Sequence, residues 1–143
     1  MIRKMQNTDI NRVADIWLKT NLKAHYFIPE QYWTSNYELV KEMMSQAEVY
    51  VYEDDKMIQG FIGVSDEYIE GIFVSDEMQS RGIGKMLLDY IKDKKDRLQL
   101  KVYQKNVRAM SFYQREGFTI QSEEMDEFTR EKEYVMNWES SGI

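Results

Sequence analysis

The sequence predicts a mixed α/β fold, with helices and strands in one domain that spans residues 1–143. Three observations predict it. Hydrophobic residues make up 43% of the chain and charged residues 31%, which is typical of a globular protein. The spacing of the apolar residues changes several times between the helical and the strand period. No linker rich in glycine or serine and no internal repeat divides the chain.

The N-terminal third predicts one strand and two helices. Residues 2–6 are short and partly apolar, which favours a first strand. A Thr-Asp pair at residues 8–9 offers a helix N-cap, and apolar residues at helical spacing follow it to about Thr20. Pro29 can occupy the first position of a helix. Apolar residues at helical spacing after it predict a second helix that ends near Gln46.

Three consecutive strands follow. Residues 49–52 are rich in β-formers, and residues 57–64 and 68–74 continue the pattern after short polar turns. Strands joined by such short turns pair as hairpins. The middle of the chain therefore predicts an antiparallel meander.

The second half of the chain alternates helices and strands. Its first helix opens at Gly82 or Gly84, after a polar loop. A second helix is stopped by Gly117, which suits a helix C-cap. The remaining predicted elements are a strand at residues 98–102, that second helix at 106–116, and two last strands at 118–123 and 133–138.

Charge and composition exclude several classes of protein. The chain has 25 acidic and 19 basic residues and a net charge of -6, which disfavours a nucleic-acid partner. It has no cysteine, so disulfides, thiolate metal sites and a cysteine nucleophile are excluded. It has no secretory h-region and no apolar run of about 20 residues. We expect a cytoplasmic monomer or homodimer with no membrane partner and no metal.

A glycine-containing loop joins the third strand of the meander to the next helix. Its sequence is Gln79-Ser80-Arg81-Gly82-Ile83-Gly84-Lys85. The first amide groups of a helix lack intrahelical partners and carry positive potential, and glycine leaves them accessible to a phosphate. The loop predicts a pyrophosphate site with Arg81 and Lys85 at its rim. The alternative is that Gly82 and Gly84 only permit a tight turn.

Two polar residues lie on one face of the predicted helix at 106–116. Asn106 and Tyr113 are seven residues apart, about two helical turns. An amide and a phenol placed in this way could both contact an extended ligand. The alternatives are that Asn106 only caps the helix and that Tyr113 is a core aromatic with a solvated hydroxyl.

Together these segments resemble the GNAT superfamily of acyl-CoA-dependent N-acetyltransferases. The first motif is Gln79-x-x-Gly82-x-Gly84, and the second is Asn106-x-x-Ala109-x-x-Phe112-Tyr113-x-x-x-Gly117-Phe118. Order and spacing match the family, and the elements match it from end to end. A further segment, residues 25–33, is similar to a subgroup of small bacterial single-domain members. The resemblance implies a largely antiparallel central sheet, with a splay between the fourth and fifth strands, flanked by about four helices.

The resemblance also implies acetyl-CoA as co-substrate. The pantetheine arm would lie in the splay, the loop would hold the pyrophosphate, and Asn106 would contact the arm near its thioester. The implied cofactor-binding residues are Ile72, Phe73, Val74, Gln79, Arg81, Gly82, Ile83, Gly84, Lys85, Asn106 and Tyr113.

In this family the acetyl group passes to a primary amine by direct attack in a ternary complex. Tyr113 is the expected general acid, because a phenol can donate a proton to the leaving thiolate. A strand amide near Ile72 or Val74 is the expected oxyanion donor. Glu70 and His25 are the two candidate bases, although Glu70 could equally face solvent or an ion-pair partner, and His25 could be structural or exposed. The residues expected to line the acceptor pocket are Tyr26, Phe27, Tyr32 and Trp33, which could equally be core or dimer contacts.

Two other functions compete with the enzyme. One is a non-catalytic acyl-CoA-binding sensor or interaction module, and the other is a purely structural α/β domain. The presence of both Tyr113 and an acidic residue on the fourth strand favours the enzyme. The acceptor amine stays open between a protein N-terminus, a lysine, a polyamine, an antibiotic and a metabolite.

Overall fold

A seven-stranded sheet runs through residues 1–140, the part of the chain that the computed structural model describes. Its strands are β1 (Ile2–Lys4), β2 (Glu48–Asp54), β3 (Met57–Ser65), β4 (Tyr68–Val74), β5 (Arg97–Tyr103), β6 (Thr119–Met125) and β7 (Lys132–Glu139). They lie in the order β1-β2-β3-β4-β5-β7-β6. Neighbouring strands are antiparallel except β4 and β5, which are parallel. The predicted mixed sheet with its antiparallel meander is therefore confirmed.

Helices cover both faces of the sheet. They are α1 (Ile10–Ala24), α2 (Glu30–Ser35), α3 (Tyr37–Gln46), α4 (Ile83–Lys92) and α5 (Val107–Arg115). On one face, Val13 of α1 and Met44 of α3 pack in a hydrophobic cluster with Phe61. On the other face, Leu87 of α4 packs in a second cluster with Ile62. Phe61 and Ile62 are consecutive in β3, so their side chains point to opposite faces.

The sheet opens between β4 and β5. These strands pair at a single position, Tyr68 with Gln99, and the Gln99 amide also donates to the Glu67 carbonyl at 2.8 Å. Beyond that point the two strands diverge toward their carboxyl ends, while β5 pairs along its whole length with β7. This confirms the predicted splay between the fourth and fifth strands.

A β-bulge interrupts the pairing of β3 with β4 beside this opening. The pairing moves from Gly63–Gly71 to Val64–Ile69, so Glu70 is the extra residue on β4. A bulge reverses the faces to which the following side chains point. Glu70 is thereby exposed, although its strand is otherwise apolar.

Two helix predictions were wrong in their extents. The predicted second helix is two helices, because the chain leaves helical geometry at Asn36, with φ -96° and ψ 0°; five helices therefore flank the sheet instead of about four. The first helix ends at Ala24, beyond the predicted Thr20. Asn21 is buried there and its side chain donates to the Trp17 carbonyl at 2.9 Å. Because this core position holds a polar residue, the apolar helical spacing ends before the helix does.

Candidate active site

A cavity of about 840 Å³ passes through the splay. The end of α1, including Asn21, lines one side of it, and the start of α4 together with α5 lines the other. The structure thus brings together most of the residues predicted to hold the cofactor. Those that line the cavity are Ile72, Phe73, Val74, Gln79, Gly82, Ile83, Gly84, Lys85, Asn106 and Tyr113.

The loop before α4 presents main-chain amides to this cavity. Gly82 is the N-cap of α4, with φ 82°, and Ser80 also has a positive φ, 67°. The first α4 bond runs from the Met86 amide to the Gly82 carbonyl at 3.0 Å, which leaves the amides of residues 83–85 free of helical partners. A Cβ built on Gly82 would meet no atom within 4 Å. Unpaired amides at a helix start, next to a glycine with open space beside it, fit a pyrophosphate.

Arg108 is a loop contact that the sequence analysis missed. Its guanidinium donates to Gln79 Oε1 at 2.9 Å and to Ser80 Oγ at 3.1 Å. Gln79 in turn donates through Nε2 to the Val74 carbonyl at 3.0 Å. The arginine of α5 therefore fixes the loop and brings a positive charge beside it. In the sequence, the position of Arg108 two residues after Asn106, in the first turn of the predicted helix, could have indicated this contact.

The cavity is positively charged in a protein that is acidic overall. Its basic lining side chains are Lys23, Lys85, Lys105, Arg108 and Arg115, against one acidic residue, Glu116. The Lys85 ammonium contacts Glu116 at 3.0 Å and Asp89 at 3.3 Å, and these bonds raise the pKa of Lys85. Arg81 is exposed and outside the lining, so Arg108 takes the position predicted for it beside the loop. This charge suits the phosphates of a nucleotide-like ligand.

Tyr113 places a phenol in the same cavity. Its side chain is 8% exposed and its ring packs edge-on against Phe112 and Phe118. Burial, with Tyr68 as a smaller cause, raises the pKa of Tyr113 well above its usual range. A protonated phenol that lines a cavity is able to donate a proton.

Asn106 and His25 form a contact across the cavity. Asn106 caps α5, because its Oδ1 accepts from the Ala109 amide at 3.2 Å. Its Nδ2 lies 3.1 Å from His25 Nε2, and His25 Nδ1 lies 2.9 Å from Asn21 Oδ1. A neutral imidazole that donates to Asn21 and accepts from Asn106 satisfies both contacts. Asn106 therefore caps α5, as one of its two interpretations proposed. The contact of Asn106 with the pantetheine arm stays a prediction.

The comparisons with known proteins decide the family. Residues 23–130 match the family model described as the acetyltransferase (GNAT) domain.

The chain belongs to the GNAT acetyltransferase family.

Named relatives agree with this. The chain is 32% identical over 140 residues to the peptidyl-lysine N-acetyltransferase YiaC of Escherichia coli strain K12, with 96% of each chain covered. It is 24% identical over 121 residues to the peptidyl-lysine N-acetyltransferase YjaB of the same organism, covering 83% of this chain and 82% of that one.

Solved structures agree on the fold. The apo form of YjaB from Escherichia coli has a TM-score of 0.86 at 19% identity, covering 99% of this chain and 98% of that one. The structure of YncA from Salmonella typhimurium with its cofactor acetyl-CoA has a TM-score of 0.70 at 16% identity, covering 100% of this chain and 95% of that one. The predicted enzyme, an acetyl-CoA-dependent N-acetyltransferase of the GNAT family, is thereby confirmed.

His25 of this acetyltransferase lies in an aromatic cluster. Its ring stacks on Trp33 with centroids 5.4 Å apart, and meets Tyr103 and Phe27 edge-on at 5.0 Å and 5.7 Å. Burial lowers the pKa of His25 to about 4. Because both ring nitrogens already have partners, the geometry favours the structural interpretation of His25 over its role as a base.

The acid stability of the acetyltransferase should depend on His25. In the unfolded chain its pKa is about 6.5, and in the folded protein it is lowered to about 4. The unfolded state therefore binds the proton first as the pH falls, and the stabilisation present above pH 6.5 is lost toward pH 4. We expect the free energy of unfolding to fall by about 2 kcal/mol between pH 7.5 and pH 5.

Urea unfolding at several pH values measures this loss. His25 is the one histidine of the chain, so His25→Gln provides a variant without a titrating group in this range. A wild-type slope between pH 6.5 and pH 5 that persists in His25→Gln would contradict the prediction.

The other predicted acceptor residues lie apart from the large cavity. Trp33 is 7% exposed and belongs to the core, which is the alternative interpretation given for it. Tyr26 is 81% exposed and contacts the edge of Phe27, and Tyr32 packs against Trp33. Their role in acceptor binding stays a prediction. Glu70 lies in a second, smaller cavity on the face covered by α1 and α3.

Acidic residues gather around Tyr68, at the end of β4 where the splay begins. Burial, with the nearby carboxylates of Glu70, Glu133 and Glu124 as further causes, raises the pKa of Tyr68 to about 12. Burial also raises the pKa of Glu133, and the charge of Asp126 contributes to that rise. Glu124 and Glu133 face each other across β6 and β7. The sequence analysis missed Glu133 and Tyr68, because their proximity depends on strand order.

No helix within residues 1–140 is long and apolar enough to cross a bilayer. No group of three or more His, Asp or Glu side chains in this part of the chain is arranged to hold a metal ion.

Proposed function

We propose that this acetyltransferase acetylates the ε-amine of lysine residues in proteins or peptides. The named relatives YiaC and YjaB are peptidyl-lysine N-acetyltransferases, which supports the proposal. The observation that carries it is the difference in charge between the two sides of the splay. The cofactor cavity is basic, whereas the opposite side has carboxylates of β4, β6 and β7 around Tyr68.

A lysine side chain matches that opposite side. Its ammonium is complementary to the carboxylates of Glu70, Glu124 and Glu133, which steer a cation toward the opening. Two basic residues of β5 lie on this face, and both are already paired, Lys101 with Glu124 at 3.0 Å and Arg97 with Glu67 at 3.7 Å. A long, thin side chain can also reach a narrow opening between two strands. A basic peptide is therefore the expected acceptor.

The chain's own groups suggest how the substrates are held. When bound, acetyl-CoA supplies an activated acetyl thioester. The amides of residues 83–85, with Gln79 and Arg108 beside them, would hold its phosphates. The edge of β4 at residues 72–74 that faces β5, where β4 and β5 do not pair, would pair with the pantetheine arm. Amides of this edge near Ile72 or Val74 are the proposed oxyanion donors.

Tyr113 and Glu70 have the proposed proton-transfer roles. Burial keeps the Tyr113 phenol protonated and Tyr113 lines the cavity, so its hydroxyl is the proposed donor to the leaving sulfur. Glu70 is exposed on β4 and is the proposed base, taking a proton from the ammonium directly or through water. His25 is not assigned a proton transfer, because its nitrogens contact Asn21 and Asn106. The proposal needs no metal and no nucleic acid, and a cytoplasmic monomer or homodimer suffices.

Mass spectrometry of acetylated peptides tests the acceptor class. The purified protein and acetyl-CoA are incubated with a peptide that has one lysine and a blocked N-terminus. A matched peptide has arginine at that position and a free N-terminus. We expect acetylation of the lysine peptide alone. Acetylation of the arginine peptide alone would identify an α-amine acetyltransferase and overturn the lysine proposal.

A further inference from the structure

The second cavity lies between the sheet and the helices α1 and α3. It has a volume of about 190 Å³. The buried side chains in its wall are apolar, namely Met44, Val49 and Phe61. Ser65 and Glu70 also line it, but both are exposed and so stand at its rim. A neutral aliphatic group suits its interior, because a charge placed there would lack a partner.

Phe73 separates this pocket from the cofactor cavity. It is the residue that lines both cavities. Its ring stacks on Phe61, with centroids 4.9 Å apart and an interplanar angle of 26°. The ring also covers Gly71, where an added Cβ would lie 2.4 Å from Phe73 Cε2. The absence of a side chain at position 71 therefore permits this position of the ring.

The geometry points to Phe73 as the residue that limits the length of the acyl chain. We propose that its ring closes the cofactor cavity beside the splay, and that the pocket behind it takes the tail of a longer linear acyl chain once the ring is made smaller. The two cavities adjoin at Phe73, and this adjacency, with the apolar wall of the pocket, selects an aliphatic acyl tail as the occupant. This inference rests on acetyl-CoA as co-substrate and is independent of the acceptor.

Phe73→Leu tests the proposal by calorimetry and by acyl transfer. Acetyl-CoA, butyryl-CoA and hexanoyl-CoA are titrated into the wild type and the variant, and transfer from each is measured with the same amine. We expect the affinity for hexanoyl-CoA relative to acetyl-CoA to rise at least tenfold in the variant, and the ratio of kcat/KM values to rise with it. An unchanged ratio in a folded variant would overturn the proposal.

Phe61→Leu is the matched control. It removes the same atoms from a residue that lines the pocket but not the cofactor cavity. The pocket is enlarged while Phe73 still closes it, so the acyl preference should stay as in the wild type. An equal change in both variants would show that loosened packing, not the closure, sets the preference, and would overturn the proposal.

Two further measurements keep the test decisive. If Phe73→Leu does not fold, Phe73→Met replaces the rigid ring with a flexible side chain of similar volume. The expected change in acyl-chain preference is the same. If the pocket takes the acceptor's side chain instead, Phe73→Leu changes the KM for the amine and leaves the acyl preference unaltered, which also overturns the proposal. Binding of acetyl-CoA to the wild type and to Phe61→Leu separates these outcomes from a failure of the protein to bind the cofactor at all.

Discussion

Replacing Tyr113 with phenylalanine should lower kcat by about 10²-fold or more, within the range known for the loss of a general acid. The change removes one hydroxyl and keeps the ring that packs against Phe112 and Phe118. Because the packing of the ring is kept, the change should leave stability and the Kd for acetyl-CoA nearly unchanged. Steady-state kinetics with calorimetry measures both effects, and equal losses in kcat and affinity would contradict the acid role.

The control for this variant is Tyr90→Phe. Tyr90 packs against Tyr50 away from the cavity, so its substitution should leave kcat unchanged. The pH profile gives a second check. Because burial raises the pKa of Tyr113 above its usual range, the phenol keeps its proton well above pH 9. An alkaline loss of activity below pH 9 that disappears in Tyr113→Phe would contradict this assignment.

Replacing Gly82 with valine should weaken acetyl-CoA binding by about 10²-fold, which corresponds to about 2.7 kcal/mol. Two effects combine. Gly82 has φ 82°, a conformation that a β-branched residue adopts only with strain. The new side chain would also occupy open space beside Gly82, in the loop that lines the cavity. Calorimetric titration with acetyl-CoA measures the loss, and an unchanged Kd would exclude the loop as the pyrophosphate site.

A pair of alanine variants separates the effect of backbone strain from the effect of a side chain in the cofactor cavity. Gly82 and Gly117 both have a positive φ, 82° and 95°, and Gly82 lines the cavity while Gly117 does not. Gly82→Ala and Gly117→Ala should both lower the free energy of unfolding, each by about 1 kcal/mol. Gly82→Ala alone should weaken cofactor binding. If the two variants change the Kd for acetyl-CoA equally, the loss of affinity is caused by backbone strain.

Local sequence patterns predicted most of the fold. Strands with short polar turns, as in the meander of β2, β3 and β4, are specified by residues close in the chain. The amide-lined loop was predictable for the same reason, since its glycines and the helix that follows are consecutive. The patterns failed where a tertiary contact replaced the local rule. Buried Asn21 extends α1 beyond its apolar pattern, and Asn36 divides a helix that the spacing predicted to be continuous.

The sequence by itself determined the family, the order of the elements and the positions of Gly82 and Tyr113. Only the tertiary structure decided which side chains meet. His25 contacts Asn106 across 81 residues of sequence, and Arg108 contacts Gln79 across 29. Such contacts depend on how helices lie across the sheet and on the strand order that places β7 beside β5. Spacing along the chain specifies the face of one element, whereas the neighbour opposite that face is set by packing of the whole domain.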